Sequence, residues 1–297
     1  MGFVYYRFTV SFDSVYCANI YFCYKNKDRL SAMEQKRSLS QQISYICFRA
    51  MRRIVKIVYP KISIEGLENL PDGACLLVGN HSQMHGPIIG ELYIPGPHAT
   101  WCAGEMMKLK EVPAYAYKGF WSLKPGYIRW FYKILSYIIA PISVCIFNNA
   151  ETIAVYHDSR LVNTFRETVL ALSEGHKVTI FPEHAKAHNH IINEFQPGFV
   201  DIVRMYRKKY GMDIPIVPVY IAPKLRKIYI GKALYSDSSA DKAEERQRLC
   251  TELMNAVTEI AESLPNHTVV PYLNISRKNY PKNKIIEDPY KNEKASL

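Results

Sequence analysis

Ala74-Cys75-Leu76-Leu77-Val78-Gly79-Asn80-His81 decides the fold. A short unbroken apolar run that stops at Gly-Asn reads as a strand buried on both faces, the kind found in a parallel sheet covered by helices. The same reading extends outward in both directions. Ile62-Ser63-Ile64-Glu65-Gly66 is a strand ending in a turn. Lys177–His184 (KVTIFPEH) and Ile214–Ile221 (IPIVPVYI) are two further buried strands, and Lys227–Leu234 (KIYIGKAL) adds another. Between and after them, residues 160–174, 199–210 and 243–264 show helical spacing. Strands alternating with helices give an α/β fold, a mainly parallel sheet flanked by helices. Ligands of such sheets bind beyond the carboxyl ends of the strands. That is where the polar tails GNHSQMH and FPEH fall.

Composition narrows the classes. With 48% hydrophobic and 22% charged residues in 297, the chain has enough apolar material for a large core and is neither disordered nor fibrous. Lys and Arg number 38 against 27 Asp and Glu, a net charge of +11 that favours anionic partners: lipid headgroups, phosphorylated substrates or nucleic acid. Nucleic acid ranks last, because the aromatics lie in apolar runs and not among a basic patch. The seven cysteines are scattered with no CxxC pair, which suits a reducing compartment and thiols acting as small hydrophobes. The longest uncharged apolar run, Ile134–Phe147, is too short to span a bilayer and is expected to break at Pro141. Neither a polytopic transporter nor a secreted disulfide scaffold fits.

Four regions are expected. Residues 1–32 read as a poorly ordered, aromatic-rich tail, with Met33 an alternative natural start. Residues 33–61 hold a basic amphipathic helix. On it Ile43, Ile46, Cys47, Ala50, Ile54, Ile57 and Val58 share one face, while Arg49, Arg52, Arg53 and Lys56 recur on the other. That pattern suits a surface helix packed on the core, or one lying at an anionic membrane with its cations near phosphates. Residues 62–270 form the α/β domain, and 271–297 a polar tail.

Two strand ends carry the chemistry. Asn80-His81-Ser82-Gln83-Met84-His85 leaves one buried strand with a group that titrates near neutrality, the requirement for a general base. Phe181-Pro182-Glu183-His184 leaves another with a carboxylate. In order, Asn80-His81, Ile153-Ala154-Val155-Tyr156, Phe181-Pro182-Glu183, Phe195-Gln196-Pro197-Gly198 and Pro215-Ile216-Val217-Pro218-Val219 resemble the blocks of the glycerolipid acyltransferases, whose best-known member acylates lysophosphatidic acid. The likeness runs from about Ile62 to Ile230.

The resemblance implies an acyltransferase-like fold, and acyl transfer from acyl-CoA or acyl-carrier protein to a hydroxyl without a covalent enzyme intermediate or a cofactor. It makes His81 the base and Glu183 the second catalytic residue, holding the acceptor. Arg160, Lys186 and His157 would meet an anionic headgroup, with Asn80, His85 and His184 in support and backbone N–H groups after the strand at the oxyanion. Membrane lipid is the implied partner, and the cytoplasmic inner face of a membrane the implied place.

Several positions depart from the family pattern. Where the family carries an Asp that orients the histidine, this chain has Gly86, for which a positive φ is expected. His157 stands where the second block carries Arg, and His184-Ala185-Lys186 replaces Gly-Thr-Arg in the third. Lys186 keeps the charge but not the bidentate fork. Two other classes stay open: a non-catalytic lipid-surface protein of the same fold, and a metal enzyme using the i, i+4 pairs His81/His85 and His184/His188 with His190 and Glu183.

Overall fold

Every residue of the strand Cys75–Gly79 is buried. In the computed structural model, which describes residues 38–122 and 124–284, it is one of nine strands. They are β1 (Ser63–Glu65), β2 (Cys75–Gly79), β3 (His98–Ala103), β4 (Thr152–Val155), β5 (Lys177–Ile180), β6 (Glu183–Ala187), β7 (Asn193–Phe195), β8 (Ile216–Ala222) and β9 (Lys227–Ile230). Seven join one sheet in the order β1-β9-β8-β2-β5-β3-β4, and β6 pairs with β7 in a separate antiparallel ribbon. The five strands from β8 to β4 are parallel, while β9 runs antiparallel to β8 and carries β1 beside it. The expected mainly parallel sheet is therefore present.

The helices are α1 (Leu39–Val58), α2 (His85–Tyr93), α3 (Val112–Ala116), α4 (Arg129–Asn149), α5 (Leu161–Ser173), α6 (Asp201–Tyr210) and α7 (Lys242–Ser263). Side chains alternate across the sheet with the strand period of two. Leu76 and Val78 of β2 join a core with Leu172 of α5, Ile202 of α6 and Leu253 of α7. Cys75 and Leu77 join a second core with Ile89 of α2. Both faces of the sheet are thus covered, which is why the strand reads as continuously apolar. Asp241 caps α7 by accepting from the N–H groups of Ala243 and Glu244, and Gly211 ends α6 at φ 72°.

The chain divides into two compact units, residues 1–51 and 52–297. The aromatic tail expected at 1–32 lies outside the described residues. Within the second unit Ile54, Ile57 and Val58 of α1 are exposed, so this end of the helix does not turn its apolar face to the core. Arg52, one of the four cations of this helix, donates to Glu91 Oε1 from Nε (2.8 Å) and to the Glu91 carbonyl from Nη2 (3.1 Å).

Two expectations need correction. Pro141 does not break the 134–147 run. It lies inside α4, and Gly126–Asn149 is long and apolar enough by length and composition to cross a membrane. Pro141 is exposed, so its ring meets solvent and not a packed neighbour. The stretch from 271 is not simply a polar tail either. Asn283 is fully buried, accepting from His267 N–H (2.7 Å) and donating to the Ala261 carbonyl (2.7 Å).

Candidate active site

Parallel registry brings three strand ends to one edge. Val78 of β2 lies beside Ile180 of β5, and Gly79 beside Val219 of β8. A Cβ on Gly79 would fall 2.1 Å from the Val219 carbonyl oxygen, so only glycine permits this approach. Asn80, 2% exposed, then fastens β2 to β8. Its Oδ1 accepts from Ile221 N–H (2.7 Å), and its Nδ2 donates to the Ile221 carbonyl (3.0 Å) and to Ser82 Oγ (2.7 Å). The side-chain amide thus imitates one more residue of sheet pairing.

The loop beyond His81 is strained. Ser82 and Gln83 are consecutive left-handed residues, φ 47° and 54°, and neither is glycine. Such backbone costs about 1–3 kcal/mol per residue and persists where its surroundings over-determine it. Here they do. Gly86 N–H donates to the His81 carbonyl (3.1 Å) and His85 N–H to the Ser82 carbonyl (3.1 Å). Gln83 donates to the Leu273 carbonyl (3.2 Å) and accepts from the Tyr280 hydroxyl (3.1 Å).

Glu183 ties β6 to this loop. Its Oε1 accepts from His81 N–H (2.6 Å) and its Oε2 from Asn193 N–H (2.9 Å). Burial pushes its pKa up to about 7, opposed by those two hydrogen bonds. Each oxygen thus has a backbone donor, and the carboxylate links the start of the loop to β7. The same bond commits His81 N–H, and Gly86 N–H is committed to a carbonyl, so neither is available to an oxyanion.

The His81 ring lies between Phe181 (centroids 5.3 Å apart) and Tyr272 (5.8 Å), edge-on to both. Its Nδ1 is buried without a hydrogen-bond partner. Burial lowers its pKa to about 4, with a smaller opposing contribution from the Gln83 backbone, so the ring is neutral near pH 7. Gly86, the second residue of α2, lacks the positive φ expected of it; what excludes other residues is space. A Cβ there would fall 2.4 Å from the His81 carbonyl oxygen and 3.1 Å from Phe181 Cζ. No orienting carboxylate fits at that position.

The remaining predicted residues lie apart. His85 Nδ1 is 2.5 Å from the Tyr59 hydroxyl. His184 Nε2 lies 3.5 Å from Glu194, to which Lys186 also pairs at 2.6 Å. Arg160 pairs with Asp158 (2.6 Å) and stacks 3.7 Å over the Tyr156 ring, while His157 is exposed. Arg160 and His157 follow β4, three strand positions from β2 in the sheet, or ~14 Å along the edge. Among the described residues no three His, Cys, Asp or Glu side chains are grouped to hold a metal ion. Tyr272, Asn193 and Tyr59 were not legible as site residues. Tyr272 is remote in sequence from His81 and belongs to no motif.

The fold and strand-end histidine define an α/β protein with its site at the sheet's carboxyl edge. A family model described as Acyltransferase matches residues 61–222, more than half of the chain, and includes both His81 and Glu183. The chain belongs to this acyltransferase family. No curated protein matches it. Among solved structures it is similar to the 1-acyl-sn-glycerophosphate (LPA) acyltransferase PlsC from Thermotoga maritima, at 17% identity and a TM-score of 0.43, over 84% of this chain and 94% of that one.

Proposed function

We propose that this protein moves a fatty acyl group from an acyl thioester, acyl-CoA or acyl-carrier protein, to a hydroxyl of a glycerolipid-like acceptor at the cytoplasmic face of a membrane. The observation that carries the reading is His81: a neutral imidazole at a strand end, its main chain tethered by Glu183. The ring takes the acceptor's hydroxyl proton as that oxygen attacks the thioester carbonyl. The carbon–sulfur bond then breaks, and the leaving thiolate receives the proton. A positioned base of this kind contributes about 10²–10⁴-fold. Glu183 acts through the backbone as a positioning residue, and Asn80 holds the strand end it acts on.

Arg160 and Lys186 receive the acceptor's anionic headgroup, with His157 beside Arg160. Each cation is paired with a partly exposed carboxylate, Asp158 or Glu194. Such pairs contribute about 0–1 kcal/mol, so exchanging a carboxylate for a phosphate is cheap.

One observation favours the second reading, a lipid-surface protein without turnover: Gly86 stands where the family carries the orienting Asp, and a Cβ there would clash with the His81 carbonyl. Assay of the purified protein against a panel of acyl donors and hydroxyl acceptors, with and without chelator, separates the readings. Chelator-indifferent acyl transfer supports the proposal. Silence against every pair assigns the second reading, and chelator-sensitive turnover a metal enzyme.

A further inference from the structure

Helix α4 has two unlike faces. Ser136, Ala140 and Ser143 are buried. Ala140 packs with Met106, Val112 and Ala116, and Ser143 Oγ donates to the Met106 carbonyl (2.9 Å). Near the end of the helix, Asn148 donates to the Met107 carbonyl (3.2 Å). The opposite face presents Trp130, Phe131, Ile134, Tyr137, Ile138 and Ile142, all about half or more exposed, with Trp130 at 65% and Ile138 at 60%. Their spacing follows the helical repeat, so they form one continuous strip. Tyr127, just before the helix, extends it at 78% exposure. Contiguous apolar surface of this kind marks a contact with a partner or a membrane.

Charge identifies the occupant. Between Glu111 and Glu151 the sequence holds no acidic residue. Its cations, Lys118, Lys124, Arg129 and Lys133, all precede Ile134, so the apolar strip has one cationic end. All four are exposed, and none forms an ion pair with a described carboxylate. Arg129 donates to the Lys124 carbonyl (2.9 Å) and Lys124 lies over the Tyr132 ring, so neither charge is neutralised. Trp and Tyr beside aliphatic residues, with such cations at the margin, is the chemistry of a bilayer's headgroup boundary. A protein partner with an apolar groove would not require the cations, and an anionic lipid surface uses both features.

We propose that the exposed face of α4 seats in the interfacial layer of an anionic bilayer, lying in its plane with Lys124, Arg129 and Lys133 toward phosphates. The helix lies flat and does not span, because Ser143 and Asn148 fasten its other side to the 104–107 segment of the domain. The strip from Tyr127 to Ile142 is then ~22 Å of membrane-facing helix.

The test uses the full chain and reads binding without turnover, so its result is independent of the acyl-transfer reading. Sedimentation with vesicles of seven parts phosphatidylcholine to three of phosphatidylglycerol measures affinity. The triple variant Trp130→Glu, Ile134→Glu, Ile138→Glu is expected to bind at least tenfold more weakly, as is wild type on vesicles of phosphatidylcholine alone. Lipids brominated on the acyl chain are expected to quench wild-type tryptophan fluorescence, and Trp130→Phe to lose most of that quenching. This arm decides the matter should the triple variant fail to fold. Equal binding by the triple variant, equal binding to neutral vesicles, or quenching unchanged in Trp130→Phe overturns the proposal. So does a wild-type dimer in sedimentation equilibrium that the triple variant dissolves, which would give the face to a second copy of the chain.

Discussion

The ends of β2 and β4 lie on one edge of one sheet and are built on opposite principles. At β2, Asn80, the His81 main chain and Glu183 are locked into backbone partners within a buried site. Beyond β4, Arg160 and Asp158 pair side chain to side chain in solvent's reach, and Lys186, on β6, is 71% exposed in its pair with Glu194. Unpaired polar groups are costly in the first environment and cheap in the second. The strand-end region can therefore hold a geometry, whereas the cationic region can exchange partners. That division suits the proposed roles, a base aimed at one end and an anion bound and released at the other.

The largest break in this comparison comes at the base. His81→Ala is expected to lower turnover by about 10²–10⁴-fold while Asn80 and Glu183 keep the loop in place. Steady-state kinetics beside a thermal melt checks this. A loss below tenfold would transfer the role to another group.

Next in size is the pH dependence of stability, where His81 and Glu183 oppose one another. Glu183, raised from 4.5 to about 7, contributes stability that is present below pH 4.5 and lost as pH rises through 7. His81, lowered from 6.5 to about 4, contributes stability present above pH 6.5 and lost as pH falls through 4. Each full swing is about 3 kcal/mol, and between pH 4.5 and 6.5 the slopes cancel. Denaturant melts of His81→Ala should show stability falling from pH 4.5 to 7. Those of Glu183→Gln should show it falling from pH 6.5 to 4. Parallel profiles in both variants would show that the two groups do not titrate as described.

Crowding at Gly86 gives a smaller effect, about 1–3 kcal/mol of lost stability for Gly86→Ala. Gly86→Asp should cost at least as much and should not raise turnover, because the clash arises at Cβ before any carboxylate can reach the ring. A gain in turnover on adding the acid would show that the loop yields to a side chain at this position. Smallest is Arg160→Ala, expected to raise KM about tenfold for a phosphate-bearing acceptor and to move stability by no more than about 0.5 kcal/mol. An equal loss with a neutral acceptor would separate Arg160 from headgroup binding.

The fold was legible where periodicity is unambiguous. The runs at 75–79, 177–180 and 216–222 are buried on both faces, and no helix of such length would alternate between two cores. Strand β3, with His98, Thr100 and Trp101 mixed among small residues, gave no such signal. Helix α4 was obscured by a proline that the solvent-facing side of a helix accommodates. At the site, His81 and Glu183 could be found because each follows a recognisable strand. The two backbone bonds of Glu183 could not, because partners 102 and 10 positions away leave no local pattern. The positive φ expected at Gly86 falls instead at Ser82 and Gln83, since tertiary hydrogen bonds to Leu273 and Tyr280 hold a conformation that local preference would reject.

The contact of Tyr272 with the His81 ring has a consequence for biosynthesis. The histidine leaves the ribosome early, but the residue that covers it follows 191 positions later, about 10–40 s at ordinary elongation rates. Gln83, whose left-handed backbone needs Leu273 and Tyr280, waits equally long. The nascent sheet can assemble its central strands well before its reactive edge acquires that final geometry. A growing chain would therefore emerge as a folded but unfinished enzyme, and its last-made described segment would act as the assembly step that completes the site.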